Sequence, residues 1–430
     1  MMRKWTRVLL AVLVLAPASR AGEAGKADAL VSPVSLVGAW QLLPGREKDD
    51  VAADPAKFEG WAAGEVPGRF SDPKAACTWY MKKFDVPAAA KGLDSEIVFE
   101  RALWHGEVWL NGKKLGGWTD GYAPFRLLAT AALKPGGENT LVARAGGRAE
   151  APKAKCGHLL VPAGFGEGGG GPGGILGAVT VRFFKGVRIT RAQVLPDLAK
   201  KTANVLVRVE AAPNAKVGDV EVKLAVTVPF GKIAPGPATD GKTVMLDALV
   251  EASANISLRD GAGEMTVPVV VEDANPWTPA NPWLCGLKVT AICGGQPADQ
   301  LTTRFGMRDV AFKPDGFYLN GVKTRLLGAN IMGEMAAWRS NNPLDGGGAK
   351  SGLIEPARKI NANCIRTHGG PLPPRWLDAC DEAGLMVLLE FGSPSTAPRS
   401  TSTRPSSPSS RRASKPRPPA SCPTSPTTPR

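Results

Sequence analysis

Four polar residues stand where short apolar segments end in the second half of the chain, and their types suit a ligand rich in hydroxyl groups. These candidates for substrate binding are Asn330, Arg366, His368 and Glu390. Amide, guanidinium, imidazole and carboxylate groups supply hydrogen-bond donors and acceptors, and carboxylates also stabilise the positive charge that develops at the anomeric carbon of a sugar. The set, with Thr367 between two of its members, therefore favours a sugar-binding site.

Each of these residues also has a purely structural interpretation. Arg366 and Glu390 could pair as an ion bridge between neighbouring strand ends, which shifts pKa values without any catalysis. His368 precedes two glycines, and a single loop histidine is more often structural or solvated than catalytic. The chain has three histidines in all, so a three-histidine metal site is not expected, and no cofactor or metal is predicted.

The segments that carry these residues alternate in type. Apolar strands are predicted over 325–330, 364–367 and 386–390, with helical segments over 353–359 and 375–383 between them. Alternation of this kind indicates parallel βα units, and polar residues at the carboxyl ends of such strands line the site of a TIM barrel. Residues 304–393 are therefore predicted to form about three of the eight units of a TIM (β/α)8 barrel.

The preceding region reads as two antiparallel β-sandwiches. Residues 33–189 show short strands separated by turn signals, and Asn111-Gly112 predicts a tight hairpin because both positions accept a positive φ angle. Residues 190–303 contain alternating segments and are predicted to form a smaller, immunoglobulin-like sandwich. The fold class is thus multidomain, with two sandwiches followed by a partial barrel.

Tryptophans are concentrated in the first predicted sandwich, where six occur. Indole faces stack on sugar rings, but large aromatic side chains also fill sandwich cores, and core packing is the default for most of them. Trp118 lies in a polar turn and is the one most expected to face solvent. It is a fifth candidate for substrate binding.

Both ends of the chain differ in composition from its middle. Residues 1–21 combine basic residues, a short apolar run and a small residue at a cleavage point, which predicts a signal peptide and a secreted or periplasmic protein. A short amphipathic anchor is the alternative. Residues 394–430 are rich in Ser, Pro, Thr and Arg with no acidic residue, which predicts disorder. We interpret this tail as the product of a reading-frame shift, with a genuine basic tail as the alternative.

Charge and cysteine content exclude several classes of function. The net charge is +14, but seven basic residues lie in the tail and four in residues 1–21, so the remainder is nearly neutral and no nucleic-acid partner is expected. No apolar run is long enough for a membrane span. The seven cysteines include no C-x-x-C pair, and isolated thiols are favoured over a disulfide between Cys285 and Cys293. The glycine-rich segment 164–174 lacks the ending of a phosphate-binding loop and is interpreted as a connector.

Several ordered motifs resemble glycoside hydrolase family 2, which includes β-galactosidases, β-glucuronidases and β-mannosidases. Those similar to its N-terminal sugar-binding domain are Thr78–Pro87, Glu107–Lys113, Gly121–Phe125 and Glu138–Leu141. The segment Pro276–Trp283 is similar to the end of its immunoglobulin-like domain. Those similar to the approach to the barrel and to its second and third strands are Arg304–Arg308, Gly316–Gly321, Asn363–Thr367 and Asp381–Val387.

The resemblance implies retaining hydrolysis of terminal β-linked sugars, with a carbohydrate as the partner. It also implies an acid/base glutamate after the fourth barrel strand and a nucleophilic glutamate near the seventh. Both positions are expected beyond the family-like region, so no catalytic residue is assigned, and the chain as written is expected to lack both glutamates. The alternative function is a non-catalytic carbohydrate-binding or scaffold protein. The sugar and the oligomeric state stay open.

Overall fold

A computed structural model describes the chain over residues 30–45, 55–68, 77–119, 123–147, 174–227, 250–272, 275–332, 354–368, 372 and 374–390. The predicted signal peptide, most of the glycine-rich segment, Cys156, Cys422 and the tail 394–430 lie outside these residues. Strands dominate the described part, and helices are few. No described helix is long and apolar enough to cross a membrane.

The first region is built from twelve described strands. They are β1 (Val34–Ser35), β2 (Gly38–Gly45), β3 (Ala62–Val66), β4 (Cys77–Asp85), β5 (Asp94–Phe99), β6 (Ala102–Leu103), β7 (His105–Leu110), β8 (Lys113–Trp118), β9 (Phe125–Leu128), β10 (Glu138–Gly146), β11 (Gly174–Ile175) and β12 (Val179–Phe184). They form a four-stranded sheet (β1-β12-β5-β9), a six-stranded sheet (β3-β2-β4-β10-β7-β8) and a small pair (β11-β6), and every pairing is antiparallel. Short 3-10 turns occupy Pro55–Lys57 and Ala88–Ala90.

Alternating side chains of the two larger sheets meet in one apolar core, as in a β-sandwich. Ile97 and Phe99 of β5 are fully buried and pack in the same cluster as Val108 and Leu110 of β7. The predicted hairpin between β7 and β8 is confirmed, with positive φ angles of 51° at Asn111 and 80° at Gly112. The side chain of Asn111 also accepts the backbone N–H of Thr140 at 2.9 Å, which ties the turn to β10.

The second region is a smaller sandwich of seven described strands. They are β13 (Val187–Asp197), β14 (Thr202–Ala211), β15 (Asp219–Thr227), β16 (Val250–Ser257), β17 (Ala262–Val270), β18 (Cys285–Cys293) and β19 (Gln296–Phe305). Sheets β13-β14-β17 and β16-β15-β18-β19 enclose a core made largely of valines. Cys285 and Cys293 stand at opposite ends of β18, and both are free thiols, as the sequence favoured.

A cluster of charged residues joins the two sandwiches. The carboxylate of Glu96 on β5 has no solvent exposure and accepts hydrogen bonds from Arg126 at 2.7 Å, Arg182 at 2.8 Å and Arg188 at 2.6 Å. Arg182 also donates to both carboxylate oxygens of Asp299, on β19 of the second sandwich, at 2.9 Å. We name these five residues the Glu96 cluster, and because they come from both sandwiches, they connect them.

The third region combines a small antiparallel sheet with a parallel one. The antiparallel sheet contains β20 (Val310–Lys313), β21 (Gly316–Leu319) and β22 (Val322–Lys323). The parallel sheet contains β23 (Gly328–Met332), β24 (Cys364–His368) and β25 (Met386–Leu388), with helices α1 (Glu355–Lys359) and α2 (Pro374–Ala383) between its strands. The predicted strand–helix alternation is therefore present, with boundaries shifted by up to three residues.

The helices cover only one face of the parallel sheet. Ile365 of β24 is buried in one cluster with Ala357 of α1 and with Trp376 and Cys380 of α2. Side chains alternate between the two faces of a strand, so the neighbouring residue Arg366 points to the face that the helices do not cover. Three of the candidate residues, Asn330, Arg366 and Glu390, lie on that face.

Candidate functional site

Three of the sequence-predicted residues meet at the carboxyl ends of the parallel strands. In the register, Asn330 of β23 lies opposite Arg366 of β24, and Arg366 lies opposite Leu388 of β25. Glu390 follows two residues after Leu388, and its Oε2 atom is 2.9 Å from Nη2 of Arg366. Nη1 of Arg366 donates a longer hydrogen bond of 3.4 Å to Oδ1 of Asn330. We call Asn330, Arg366 and Glu390 the strand-end cluster.

Thr367 supports this cluster from the opposite face of β24. Its side chain is fully buried, which is expected because it alternates with Arg366 along β24. The hydroxyl oxygen of Thr367 accepts the backbone N–H of Glu390 at 2.8 Å, so it holds the chain where β25 has already ended. The sequence placed Thr367 among the strand-end polar residues, but its supporting role depends on a contact that forms only in the folded chain.

The ion pair in the cluster is accessible to solvent. The side chain of Arg366 is 44% exposed and that of Glu390 is 29% exposed. Exposed pairs of this kind contribute only about 0–1 kcal/mol to stability, because water screens them and two long side chains must be ordered. The ion bridge that the sequence offered as the structural interpretation is thus formed, but its exposure leaves the donors of Arg366 and the acceptors of Glu390 within reach of a ligand.

The chemistry of the cluster is that of a hydroxyl-binding surface. A guanidinium presents fixed N–H donors, a carboxylate accepts only, and an amide does both. Hydroxyl groups of a sugar are donors and acceptors at once, so one ring could exchange hydrogen bonds with all three side chains. The exposed side chains and their opposite charges make the arrangement suited to a polar ligand.

His368 and Trp118 stand differently from these three. His368 is the last residue of β24, and its backbone lies opposite Met332 in the register. Trp118 was predicted to face solvent, and this is wrong, since it is only 7% exposed. Its indole stacks on Phe125 at a centroid distance of 4.8 Å and lies 6.2 Å from Phe99, so it belongs to the core of the first sandwich.

Core packing is the rule for the other tryptophans of the first sandwich. Trp40, Trp79, Trp104 and Trp109 are each 5% exposed or less, and Trp61 is partly buried. The turn composition around Trp118 gave a misleading signal because Gly106, on the neighbouring strand β7, leaves space for the indole. A methyl group at Gly106 would come within 2.1 Å of the ring of Trp118.

No metal centre is built into the described residues. No group of three His, Cys, Asp or Glu side chains in that part of the chain is arranged to hold an ion. The strand-end cluster itself contributes one carboxylate and one amide oxygen, and a guanidinium stands between them. Its chemistry is therefore that of hydrogen bonding.

Comparison with known proteins identifies a matching family and relatives of similar sequence. Residues 187–308 match the family described as Glycosyl hydrolases family 2. A protein named "Putative beta-glucuronidase" from Formosa agariphila is 27% identical over 73% of this chain and 27% of its own length. A protein named "Beta-galactosidase" from Thermoanaerobacter pseudethanolicus is 25% identical over 73% of this chain and 39% of its own length. The chain thus spans well under half of the length of these two relatives.

The fold is also similar to solved structures. A crystal structure of a glycosyl hydrolase family 2 member from Bacteroides cellulosilyticus superimposes with a TM-score of 0.61 at 19% sequence identity. The match covers 84% of this chain and 48% of that one. At this level of identity the likeness concerns the fold alone.

Proposed function

We propose that this chain is a member of glycosyl hydrolase family 2 and functions in the retaining hydrolysis of terminal β-linked sugars, which the matches to that family support. The observation that carries the proposal is the strand-end cluster, in which Asn330, Arg366 and Glu390 meet on the face of a parallel sheet opposite the described helices. The relatives named above are a "Putative beta-glucuronidase" and a "Beta-galactosidase", so β-glucuronides and β-galactosides are the candidate substrates. The substrate class is a β-glycoside.

The parallel sheet is proposed to be the beginning of a TIM barrel. Strands β23, β24 and β25 are parallel neighbours, and one described helix lies between each consecutive pair. In such barrels the reaction site lies at the carboxyl ends of the strands, where the strand-end cluster is found. The helices cover one face of the sheet, as the outer helices of a barrel do.

The strand-end cluster is assigned to substrate binding. Retaining hydrolysis needs two carboxyl groups about 5–5.5 Å apart, one as nucleophile and one as acid/base. No residue of the described chain is assigned to either role, and the expectation that both glutamates lie beyond Glu390 stays a prediction. In this proposal Arg366 donates to sugar hydroxyls, while Glu390 accepts from them and holds the guanidinium in place.

The proposal also includes export of the protein and a carbohydrate-binding role for the first sandwich. The basic and then apolar residues 1–21 support a secreted or periplasmic location. The motifs of residues 33–189 support a carbohydrate-binding role for that sandwich. Trp118 is not offered as a stacking platform there, because its indole is buried among other rings.

Binding and turnover with a panel of sugars test the proposal. Aryl β-galactosides, β-glucuronides and β-mannosides are assayed for hydrolysis, and the corresponding monosaccharides for binding by calorimetry. We expect Glu390→Gln and Arg366→Gln each to weaken the binding of the preferred sugar by about ten- to a hundredfold, since hydrogen bonds to charged groups contribute about 1.5–3 kcal/mol.

A matched control separates this effect from loss of a surface charge. Lys323 and Asp315 form another exposed ion pair, at 3.1 Å, on the small antiparallel sheet. Asp315→Asn is expected to leave sugar affinity unchanged. Absence of binding to every sugar in the panel, by a folded wild-type chain, would contradict the proposal. Turnover by the wild-type chain would contradict the expectation that this chain lacks both catalytic glutamates.

A further inference from the structure

Trp277 connects three elements of the molecule through its own hydrogen bonds. Its backbone N–H donates to the carbonyl of Met307 at 2.8 Å, and its carbonyl accepts from the side chain of Asn320 at 3.0 Å. Its indole N–H donates to the carbonyl of Asp381, in α2, at 2.9 Å. The side chain is only 3% exposed. Trp277 therefore links the segment after β19 and the turn between β21 and β22 to the helix that precedes β25.

The backbone next to Trp277 approaches the end of that helix very closely. A methyl group at Gly384, the residue after α2, would lie 2.2 Å from the carbonyl oxygen of Pro279. Gly384 also has a positive φ of 73°, a conformation that favours glycine. We name Trp277, Pro279, Asp381 and Gly384 the Trp277 junction. Of these residues, Asp381 lies in α2 and Gly384 lies in the turn that leads into β25.

The first residue of β25 packs on the same junction. Trp277, Leu284 and Leu319 form an apolar cluster, and Met386 packs against it. Charged residues also connect these elements. Arg304 of β19 pairs with Asp378 and Glu382 of α2, and the guanidinium of Arg308 lies 5.8 Å from the ring centre of Trp277. Both the helix before β25 and the start of β25 are thus held by residues outside the parallel sheet.

The position of Glu390 depends on how β25 is held. β25 has only three residues, and in the described sheet its single neighbour is β24. A strand this short has few ladder hydrogen bonds to fix its position, so contacts at its two ends contribute more to holding it in place. Thr367 holds the end at Glu390, and the Trp277 junction holds the beginning.

From this arrangement we infer that Trp277 is a positioning residue for the strand-end cluster. It lies far from Glu390 in sequence and sets the starting point of the strand that leads to it. The consequence for sugar binding rests on the proposed function, but the positional claim does not. The chemistry of the cluster is left to Asn330, Arg366 and Glu390, and Trp277 acts only through β25.

Trp283 provides the matched control. It is also buried, at 6% exposed, but it packs in the core of the second sandwich, and its indole N–H finds no partner among the described residues. Replacing either tryptophan by phenylalanine removes an indole N–H while keeping a large ring. Only the change at Trp277 removes a hydrogen bond to α2.

Hydrogen exchange of the full chain, followed by mass spectrometry, tests the inference directly. We expect Trp277→Phe to speed amide exchange in the peptide 384–390 by about fivefold, the size that loss of one net hydrogen bond produces. Trp283→Phe should leave exchange in that peptide at the wild-type rate. Equal exchange of 384–390 in the two variants would overturn the inference.

Two further measurements distinguish a positioning role of Trp277 from a general loss of stability. In wild-type protein at rising urea concentration, the amides around Trp277 and those of 384–390 should open together, and separate opening would also overturn the inference. If the chain binds a sugar, Trp277→Phe should weaken binding severalfold, while Trp283→Phe with a similar loss of Tm should not. A positive exchange result without any sugar binding would support the positioning role and count against the proposed function.

Discussion

The two interfaces that join the regions of this molecule are built on different physics. The Glu96 cluster connects the two sandwiches through charged groups, with one buried carboxylate facing three guanidinium groups. The Trp277 junction connects the second sandwich to the parallel sheet through an indole, a close backbone approach and one glycine. The first interface depends on charge balance, and the second depends on shape.

This difference predicts which changes each interface tolerates. Removing one partner of a buried ion pair leaves the other charges desolvated and uncompensated, which costs more than the pair contributes. Adding atoms to a closely packed backbone contact forces the backbone to move. The Glu96 cluster should therefore be sensitive to neutralisation, and the Trp277 junction to added volume.

Neutralising Glu96 is expected to give the largest effect. Glu96→Ala leaves Arg126, Arg182 and Arg188 without their shared acceptor, and we expect the free energy of unfolding to fall by about 3 kcal/mol or more. Urea unfolding measures it. The control is Glu138→Ala, which removes an exposed pair with Lys83 at 3.4 Å and should cost at most about 0.5 kcal/mol. Similar losses for the two variants would show that the Glu96 cluster does not depend on buried charge.

Adding a methyl group at Gly384 is expected to have the next largest effect. Gly384→Ala combines the strain of a positive φ with a contact of 2.2 Å to the carbonyl of Pro279, and we expect a loss of about 2–3 kcal/mol. Gly295 has a similar φ of 77° with nothing near its Cβ position, so Gly295→Ala isolates the cost of the backbone angle, about 1 kcal/mol. Thermal unfolding of both variants gives the comparison. Equal losses of stability would show that the contact between position 384 and the carbonyl of Pro279 adds nothing to the cost of the backbone angle.

The smallest expected effect concerns pH at the edge of the Glu96 cluster. Burial alone would raise the pKa of Glu210, but its hydrogen bonds to Arg188 and Arg208 hold the pKa below its ordinary value. A carboxyl whose pKa is lowered by folding stabilises the protein above its unfolded pKa, and this contribution disappears as the pH falls through the folded pKa.

Glu210→Gln should therefore destabilise the protein at pH 7 by less than about 1 kcal/mol, since the side chain is partly exposed. The difference from wild type should shrink as the pH falls below 4.5, the ordinary pKa of a glutamate. Urea unfolding at pH 7 and in acid measures both values. A difference that grows in acid would show that Glu210 is not held by these arginines.

Local features of the sequence predicted much of the fold. Asn111-Gly112 gave a correct hairpin because positive φ angles depend mainly on the residues at the turn themselves. The alternation of apolar strands with helical segments after Arg325 was also correct, since strand and helix periods are written in neighbouring residues. The family resemblance stated from the motifs is confirmed by the matches.

Features that depend on distant neighbours were harder to predict. Trp118 was expected to face solvent because its flanking residues are polar, but Gly106 on another strand makes room for it in the core. The role of Thr367 depends on a backbone N–H that is 23 residues away. Trp277 was noted only as part of a motif, and its bond to α2 crosses 104 residues.

The sequence by itself determined the order of the described strands and helices, the family resemblance and the residue types that suit a sugar. These follow from local periodicity, turn chemistry and ordered motifs. The tertiary structure alone decided that Asn330, Arg366 and Glu390 share the face opposite the described helices, because that depends on the parallel register of β23, β24 and β25. It also decided how β25 is held, since hydrogen bonds and close contacts between distant segments form only when the chain is folded.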